Sequence, residues 1–258
     1  MNPPAFQRYI EITAPPAGDD WIVTPKLNGV AACYFQGKLF SRTMKVFPPH
    51  RFKHIIDELQ FAGADCLYGE LWNPVLTLPE ISGQCNHYSD SHEPANLKFY
   101  VYDRFDHNNP YAGYEQRMIL ARALIEARGL KYVIPLTAYH TFDAPDDCID
   151  GTVYRRPRAI FMPGKRAAGT LKLKKWKELD AVVIDTTPGE KEFAGLVGAL
   201  VCTYNGKTFR VGSGLTLHDR YRYRTCRPKA VKVKYMNLSA DGIPLNPTFM
   251  EELEDFMC

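Results

Sequence analysis

Long apolar runs, a secretion signal and paired cysteines are all missing from this sequence. No apolar run approaches the length of a membrane-spanning helix, and Met1 to Pro4 lack the basic and then apolar pattern of a signal peptide. The seven cysteines are scattered, odd in number and include no Cys-x-x-Cys pair, which favours reduced thiols over a disulfide framework. We therefore expect a soluble, intracellular protein that does not associate with a membrane.

Several common catalytic patterns are also missing. The sequence shows neither a Ser-His-Asp order nor a Walker-type glycine-rich loop with its lysine. Cys85, His87 and His92 lie close together, but their spacing matches no firm zinc motif and a fourth ligand is missing. These absences argue against a triad hydrolase, a P-loop nucleotide hydrolase and a zinc protein.

Charged residues are present in ordinary number but are unevenly distributed. The 258 residues are 45% hydrophobic and 24% charged, with a formal net charge of +3, which is typical of a soluble globular protein of one large or two modest domains. Residues 151–177 carry nine basic and no acidic residues, and residues 207–234 carry nine basic residues against Asp219. A solvated face is one interpretation of either block. Two such blocks in a nearly neutral protein favour a positive surface that binds a polyanion.

The order of apolar residues and turns predicts an α+β fold. Gln36-Gly37 separates two strand-like runs, which predicts a hairpin. Apolar residues at helical spacing predict helices over residues 50–61 and from Tyr114 to about Gly129. Further strands are predicted at residues 66–72, 97–102, 149–154 and 170–173. Segments expected to be irregular are residues 1–20, 80–96 and 157–169.

A change of pattern near Trp176 predicts a second domain. Beyond it short strands recur closely, and Asn205-Gly206 is a strong hairpin signal. Closely spaced short strands favour a small β-barrel. We therefore predict a first domain at residues 1–176 and a second at residues 177–258.

Lys26 is the first candidate for chemistry. It follows the apolar run 21–23 and precedes Gly29, which predicts a tight turn between two strands, with backbone that a phosphate can approach closely. A lysine amine becomes a nucleophile when desolvation or neighbouring cations favour its neutral form. A surface lysine beside a hairpin glycine is the alternative, and this stretch alone does not separate the two.

Five further residues are candidates for a site. Glu70 follows a glycine inside an apolar strand, so it is either a satisfied structural carboxylate or an acceptor for a sugar hydroxyl or a metal. Tyr102 is either a core aromatic or a platform for a base, and Asp150 precedes a glycine at a strand. Lys172 and Lys174 alternate with leucines, so both point to one side of a strand and are suited to share an anion.

The order of these candidates resembles that of the covalent nucleotidyltransferases. The superfamily's motifs occur here in sequence as Lys-x-Asn-Gly at 26–29, Ser-Arg at 41–42, Tyr-Gly-Glu-Leu at 68–71, Tyr-Val-Tyr-Asp at 100–103, Asp-Gly at 150–151 and Leu-Lys-Leu-Lys at 171–174. Gly-Ser-Gly-Leu at 212–215 and Asp-Gly-Ile-Pro at 241–244 resemble the oligonucleotide-binding (OB) domain of small, viral or phage-type ATP-dependent DNA ligases. The resemblance covers nearly the whole chain.

The resemblance implies a fold and a reaction. The fold would be a nucleotidyltransferase (adenylation) domain of antiparallel sheets with helices, followed by a small OB-fold β-barrel. Lys26 would attack the α-phosphate of ATP and carry AMP, with Lys172 and Lys174 gripping that phosphate. AMP would pass to the 5′-phosphate of a nick in duplex DNA and be displaced by the 3′-hydroxyl. The protein would be a monomer, of phage or viral type, that uses ATP with Mg²⁺ or Mn²⁺ in DNA replication, repair or recombination.

The same resemblance assigns the remaining candidates. Thr24 would lie near the adenine, and Tyr102 would stack on it. Arg42 would contact the ribose or the nick phosphate, and Glu70 would accept a hydrogen bond from a ribose hydroxyl. Asp150, together with Glu70, would bind the divalent metal.

The sequence departs from the family pattern in four places, two of which concern the lysine motif and the metal site. Asn28 stands where the family usually has Asp, and Asp150 replaces the usual Glu, which shortens the reach to a metal by one methylene. Three other interpretations share most of the motifs. They are an RNA ligase, a capping-type enzyme that would use GTP, and a non-catalytic protein that binds nicks without becoming adenylylated.

Overall fold

The computed structural model describes residues 3–86, 97–137, 149–239 and 241–253. The chain separates into two compact units, Met1–Lys174 and Lys175–Cys258. Their division lies two residues before the boundary predicted at residue 176. Each unit has a hydrophobic core of its own. Within the described ranges, no helix has the length and apolar character needed to span a membrane.

The first unit is built from strands with a few helices. Its strands are β1 (Arg8–Ile12), β2 (Ile22–Leu27), β3 (Val30–Phe35), β4 (Lys38–Ser41), β5 (Cys66–Trp72), β6 (Lys98–Arg104), β7 (Val133–Pro135), β8 (Ile149–Arg155) and β9 (Arg166–Lys174). Its helices are α1 (Lys53–Phe61), which follows a 3₁₀ turn at Pro49–Phe52, α2 (Leu78–Asn86) and α3 (Tyr114–Ala127). The α+β class predicted from the sequence is confirmed.

These strands form two sheets. One sheet has the order β1-β9-β8-β2, in which β1 and β9 are parallel and the other neighbours antiparallel. The other has the order β4-β3-β5-β6-β7, in which only β6 and β7 are parallel. Apolar residues one helical turn apart bury one face of each packing helix, with Ile55 and Leu59 of α1 and Ala121 and Ile125 of α3 in the same core.

Gly29 lies where the chain passes from one sheet to the other. β2 and β3 belong to different sheets, so the segment between them does not close a hairpin. The passage is tight, because a Cβ on Gly29 would lie 2.5 Å from the carbonyl oxygen of Leu71 and 2.8 Å from Cγ of Glu70. Lys26 pairs with Gly151 inside the β2–β8 ladder. The prediction that Lys26 lies in a turn is therefore wrong, since its strand pairs with a distant segment.

The second unit is a five-stranded antiparallel sheet with a short helix. Its elements are β10 (Lys177–Pro188), a 3₁₀ turn (Lys191–Phe193), β11 (Val197–Tyr204), β12 (Lys207–Val211), α4 (Leu217–Arg222), β13 (Ala230–Tyr235) and β14 (Thr248–Glu252). The sheet has the order β12-β11-β10-β13-β14. Alternate residues such as Val231 and Val233 are fully buried. Asn205 (φ 46°) and Gly206 (φ 73°) form the predicted hairpin turn.

Three segments expected to be irregular contain regular structure. β1 lies within residues 1–20, and it was not predicted because its pairing partner, β9, is far along the chain. α2 begins the supposed loop 80–96 and buries Ile81 and Cys85, one turn apart; residues 87–96 lie outside the described residues. β9 starts at Arg166, inside the expected loop 157–169, because β1 and β8 flank it on both sides.

Candidate functional site

One pocket of the first unit collects most of the predicted side chains. Its volume is about 370 Å³, within the range of small-molecule sites. The predicted residues that line it are Thr24, Lys26, Arg42, Glu70, Tyr102, Lys172 and Lys174. Residues separated by up to 150 positions therefore meet in one cavity, which makes it the candidate site.

The wall of this pocket is strongly basic. Its basic residues are Arg8, Lys26, Arg42, Arg155, Arg166, Lys172 and Lys174. Among the described residues that line it, Glu70 alone is acidic. A concave surface with this excess of positive charge attracts a polyanion, and arginine and lysine bind phosphate oxygens well.

The β2–β8 ladder places Lys26 beside Asp150. Nζ of Lys26 lies 2.7 Å from each carboxylate oxygen of Asp150, and the two side chains are 23% and 10% exposed. Asp150 reaches this position beside Gly151, where a Cβ would lie 2.0 Å from the carbonyl oxygen of Leu173 and φ is +146°. A side chain at residue 151 would force β8 and β9 apart, so the glycine allows the carboxylate to hold the amine.

Glu70 lies in β5 on the same pocket wall and accepts a hydrogen bond from the backbone N–H of Gly29. Burial raises the pKa of its carboxyl group to about 8, and the negative charge of Asp150 adds to that rise. The charges of Lys26 and Arg42 and the Gly29 hydrogen bond lower the pKa only in part. Glu70 can therefore exchange a proton near neutral pH.

Replacing Glu70 with glutamine is expected to weaken the pH dependence of stability. The carboxyl group has an ordinary pKa of 4.5 and a folded-state pKa of about 8. Between these two pH values it binds more protons in the folded protein than in the unfolded chain. Its contribution to the free energy of unfolding therefore falls as the pH rises. Urea unfolding of both proteins near pH 5 and near pH 8, in metal-free buffer, measures the difference. The wild type should lose more stability than Glu70→Gln, and equal losses would contradict the raised pKa.

Three tyrosine rings surround Arg155, and two of them, those of Tyr9 and Tyr102, line the pocket together with it. The Arg155 guanidinium is buried and donates hydrogen bonds to Oγ1 of Thr24 at 3.1 Å and to the hydroxyl of Tyr9 at 2.9 Å. Its Cζ lies 5.3, 5.5 and 4.9 Å from the ring centroids of Tyr9, Tyr102 and Tyr114, respectively. Arg155 thereby fixes Thr24 and Tyr102, the two residues predicted to lie at the adenine. An aromatic ring facing a pocket is a suitable platform for a base.

Lys172 and Lys174 lie on β9 and line the pocket. As predicted from their alternation with leucines, both side chains reach the same place, because Oε2 of Glu11 accepts from Nζ of Lys172 at 3.1 Å and from Nζ of Lys174 at 3.2 Å. Partial burial raises the pKa of Glu11, but these hydrogen bonds outweigh it and hold the pKa below its ordinary value. Glu11 is therefore an anion between the two lysines.

Five residues at this site were missed by sequence reasoning. Three of them, Arg8, Tyr9 and Glu11, lie in the segment expected to be an irregular lead-in. They reach the site because β1 pairs in parallel with β9, and no pattern in the neighbouring residues indicates this pairing. Arg155 and Arg166 stand in the first basic block, whose composition predicts a positive surface.

The donor atoms near the pocket fit a hard divalent cation better than zinc. Asp150 and Glu70 are close enough for one to affect the pKa of the other. The described part of the chain contains no cluster of three or more His, Cys, Asp and Glu side chains able to hold a metal. Mg²⁺ is commonly bound by one or two carboxylates together with water and substrate phosphates. Of the weak zinc candidates, His87 and His92 lie outside the described residues.

Comparison with known proteins places these observations in a family context. Residues 188–252 match the family described as the DNA ligase OB-like domain. A DNA ligase of Haemophilus influenzae is 28% identical over 247 residues, covering 91% of this chain and 87% of the relative. The chain is similar in sequence to DNA ligases. The resemblance inferred from the order of the motifs is therefore confirmed.

Solved ligase structures share the fold. A structure from an analysis of Lig E DNA ligases has a TM-score of 0.76 at 17% identity, covering 96% of this chain and 99% of the other. A Chlorella virus DNA ligase-adenylate has a TM-score of 0.53 at 20% identity, covering 97% of this chain and 99% of the other. The predicted fold class, a nucleotidyltransferase part followed by an OB fold, is confirmed.

Proposed function

We propose that this chain is an ATP-dependent DNA ligase that seals nicks in duplex DNA through a lysyl-AMP intermediate and a DNA-adenylate. The position of Lys26 carries the proposal, because its side chain shares one pocket with six other basic residues and with the aromatic residues Tyr9 and Tyr102. A nucleophile, cations for phosphate and a platform for a base are the parts that nucleotidyl transfer requires.

The residues that line the pocket favour one orientation of ATP. Adenine would lie against Tyr102 and near Thr24. The ribose would lie near Glu70, whose carboxyl group can accept a hydroxyl hydrogen bond. The α-phosphate would lie between Lys26 and the pair Lys172 and Lys174.

Lys26 would carry out the first chemical step. A bond forms between its Nζ and the α-phosphorus as the bond to the bridging oxygen breaks, and pyrophosphate leaves with that oxygen. The ammonium group must lose a proton before it attacks. Asp150, hydrogen-bonded to Nζ through both oxygens, holds the amine and is placed to accept this proton. It thereby supplies the carboxylate that Asn28 lacks.

Asp150 and Glu70 would also hold the divalent metal ion, Mg²⁺ or Mn²⁺, jointly with phosphate oxygens of ATP. Bound there, the ion would neutralise charge on the phosphates. Arg42, which is exposed at the rim of the same pocket, would contact the ribose or the 5′-phosphate of the nick. AMP would pass to that phosphate, and the 3′-hydroxyl would then displace it and close the strand.

Exposed basic residues of the second unit would bind the phosphates of the duplex. They are Lys207, Arg210, Arg222, Arg224, Arg227 and Lys229. Arg220 of the same block has a different role, since it is buried and donates to the carbonyl oxygens of Val197, Gly198 and Gly212. Binding through several phosphate contacts makes affinity for DNA fall steeply with salt. Nick sealing of this kind serves replication, repair and recombination.

Transfer of label from ATP tests the proposed function. The protein is incubated with α-labelled ATP and Mg²⁺, and label that stays on the denatured protein is measured. A singly nicked DNA duplex is then added, and sealed product is measured on a denaturing gel. We expect label on the protein, loss of that label when nicked DNA is added, and a sealed strand. A protein that takes up no label and seals no nick would refute the proposal.

The same assay separates the rival functions. Labelling from GTP in place of ATP would indicate a capping-type enzyme, and sealing of nicked RNA alone would indicate an RNA ligase. Binding of the nicked duplex without any labelling would indicate a non-catalytic nick-binding protein. Light scattering of the same preparation tests the proposed monomer.

A further inference from the structure

We propose that Glu11 is a positioning residue that holds Lys172 and Lys174 when no nucleotide is bound and competes with the phosphates of ATP for these two lysines. The inference rests on the proposed function of the pocket and adds to it a residue from β1. Glu11 would set the affinity for the triphosphate rather than take part in the chemistry.

The pairing of β1 with β9 brings the three side chains together. Glu11 is the register partner of Lys172, between Ile10 opposite Leu171 and Ile12 opposite Leu173. Because side chains alternate along a strand, Glu11, Lys172 and Lys174 share one face of the sheet. A single oxygen of Glu11 accepts from both ammonium groups, at 3.1 and 3.2 Å.

This arrangement resembles the binding of a phosphate oxygen. Two ammonium groups that converge on one anionic oxygen form a site for an oxyanion, and a carboxylate oxygen occupies it here. Lys172 and Lys174 both line the pocket. A phosphate that uses the same hydrogen-bond donors must displace the carboxylate, because two anions on the same pair of ammonium groups repel each other.

The exposure of the three side chains allows the exchange. Glu11 is 41% exposed, and Lys172 and Lys174 are 25% and 23% exposed. Partly exposed ion pairs contribute little individually because water screens them, so the carboxylate can swing into solvent when a more highly charged ligand arrives. The competition should weaken triphosphate binding by roughly 2- to 5-fold, the effect of about one exposed ion pair.

A merely structural role for Glu11 predicts the opposite sign. If the carboxylate served only to hold the lysines in a favourable geometry for ATP, its removal would weaken binding of phosphates. If it competes, its removal strengthens binding. The direction of the change in affinity therefore decides between the two roles.

Calorimetric titration with sodium tripolyphosphate, a probe that contains no base or sugar, tests the proposal. The wild type is compared with Glu11→Gln, which keeps the shape of the side chain and removes its charge. The control is Glu251→Gln, which breaks an exposed pair with Lys232 at 3.1 Å in the second unit and changes net charge equally. We expect roughly 2- to 5-fold tighter binding for Glu11→Gln, the effect of about one exposed ion pair, and no change for Glu251→Gln.

A second measurement uses the labelling reaction. The KM for ATP in lysyl-AMP formation should fall in Glu11→Gln while the maximal rate stays near that of the wild type. A Lys172→Gln change should reduce the effect of Glu11→Gln, because half of the contested site is gone. Equal or weaker tripolyphosphate binding in Glu11→Gln, binding by neither protein, or an equal gain in Glu251→Gln would overturn the assignment.

The two proposals can fail separately. Tighter tripolyphosphate binding in Glu11→Gln without any labelling from ATP would leave Glu11 as the competing anion and refute the ligase reaction. Labelling from ATP with unchanged affinities would leave the ligase reaction and refute the role of Glu11.

Discussion

Replacing Lys26 with alanine is expected to abolish transfer of AMP from ATP to the protein. The change removes the proposed nucleophile, and losses from removing a covalent nucleophile are commonly at least about 10³-fold. It also leaves the carboxylate of Asp150, which is 10% exposed, without its ammonium partner. Lys26→Arg separates these effects, because a guanidinium keeps the positive charge near Asp150 but stays protonated and cannot attack. We expect no labelling from either variant.

The matched control for this prediction is Lys38→Ala. Lys38 is an exposed lysine in β4, and its loss should leave labelling unchanged. A nicked duplex that already carries AMP on its 5′-phosphate adds a second check, since its sealing needs no lysine nucleophile. Lys26→Ala should seal this substrate far better than it seals a plain nick with ATP. Labelling of Lys26→Ala at the rate of the wild type would refute the assignment of the nucleophile.

Replacing Arg117 with methionine is expected to destabilise the first unit by about 3–5 kcal/mol, the cost of breaking a buried ion pair. Nε of Arg117 lies 2.8 Å from Oδ1 of Asp103 and Nη2 lies 3.1 Å from Oδ2, with both side chains under a tenth exposed. Nη1 donates to the carbonyl oxygens of Ala112 and Ala159. The variant leaves a buried carboxylate and two carbonyl groups without these donors.

Urea unfolding followed by tryptophan fluorescence measures this loss, since Trp72 is fully buried in the first unit. The control is Arg122→Met, which breaks an exposed pair with Glu126 at 2.7 Å on the same helix. Exposed pairs contribute at most about 1 kcal/mol, so the control should unfold close to the wild type. Equal midpoints for Arg117→Met and Arg122→Met would show that the buried pair is not a main support of the unit.

The ion pair with Arg117 explains the role of Asp103, the acidic residue of the Tyr-Val-Tyr-Asp motif at residues 100–103. Tyr102 lines the pocket, whereas its neighbour Asp103 points to the other face of β6 and binds Arg117 of α3. Alternation along a strand therefore separates a residue of the site from a residue of the support. Sequence reasoning identified Tyr102 as a candidate and assigned no role to Asp103.

Local patterns were sufficient for much of the fold. The strand at Cys66–Trp72 and the hairpin at Gln36-Gly37 follow the predictions, and α3 has the expected extent. These elements depend on turn residues and on apolar periodicity, which neighbouring residues alone establish. The order of short motifs then predicted the resemblance to DNA ligases and seven of the residues that line the pocket, because a motif names residue types in order without requiring their positions in space.

Long-range pairing decided the rest. The partner of Lys26 lies 124 residues away at Asp150, and the donor to Thr24 lies 131 residues away at Arg155. Glu11 reached the site through a parallel ladder with β9, which no pattern in the first twenty residues predicted. The hydrogen-bonding partner of a strand depends on how the whole sheet assembles. The sequence by itself therefore determined which chemical groups the protein has and their order along the chain. Only the assembled sheets determined which of these groups are in contact.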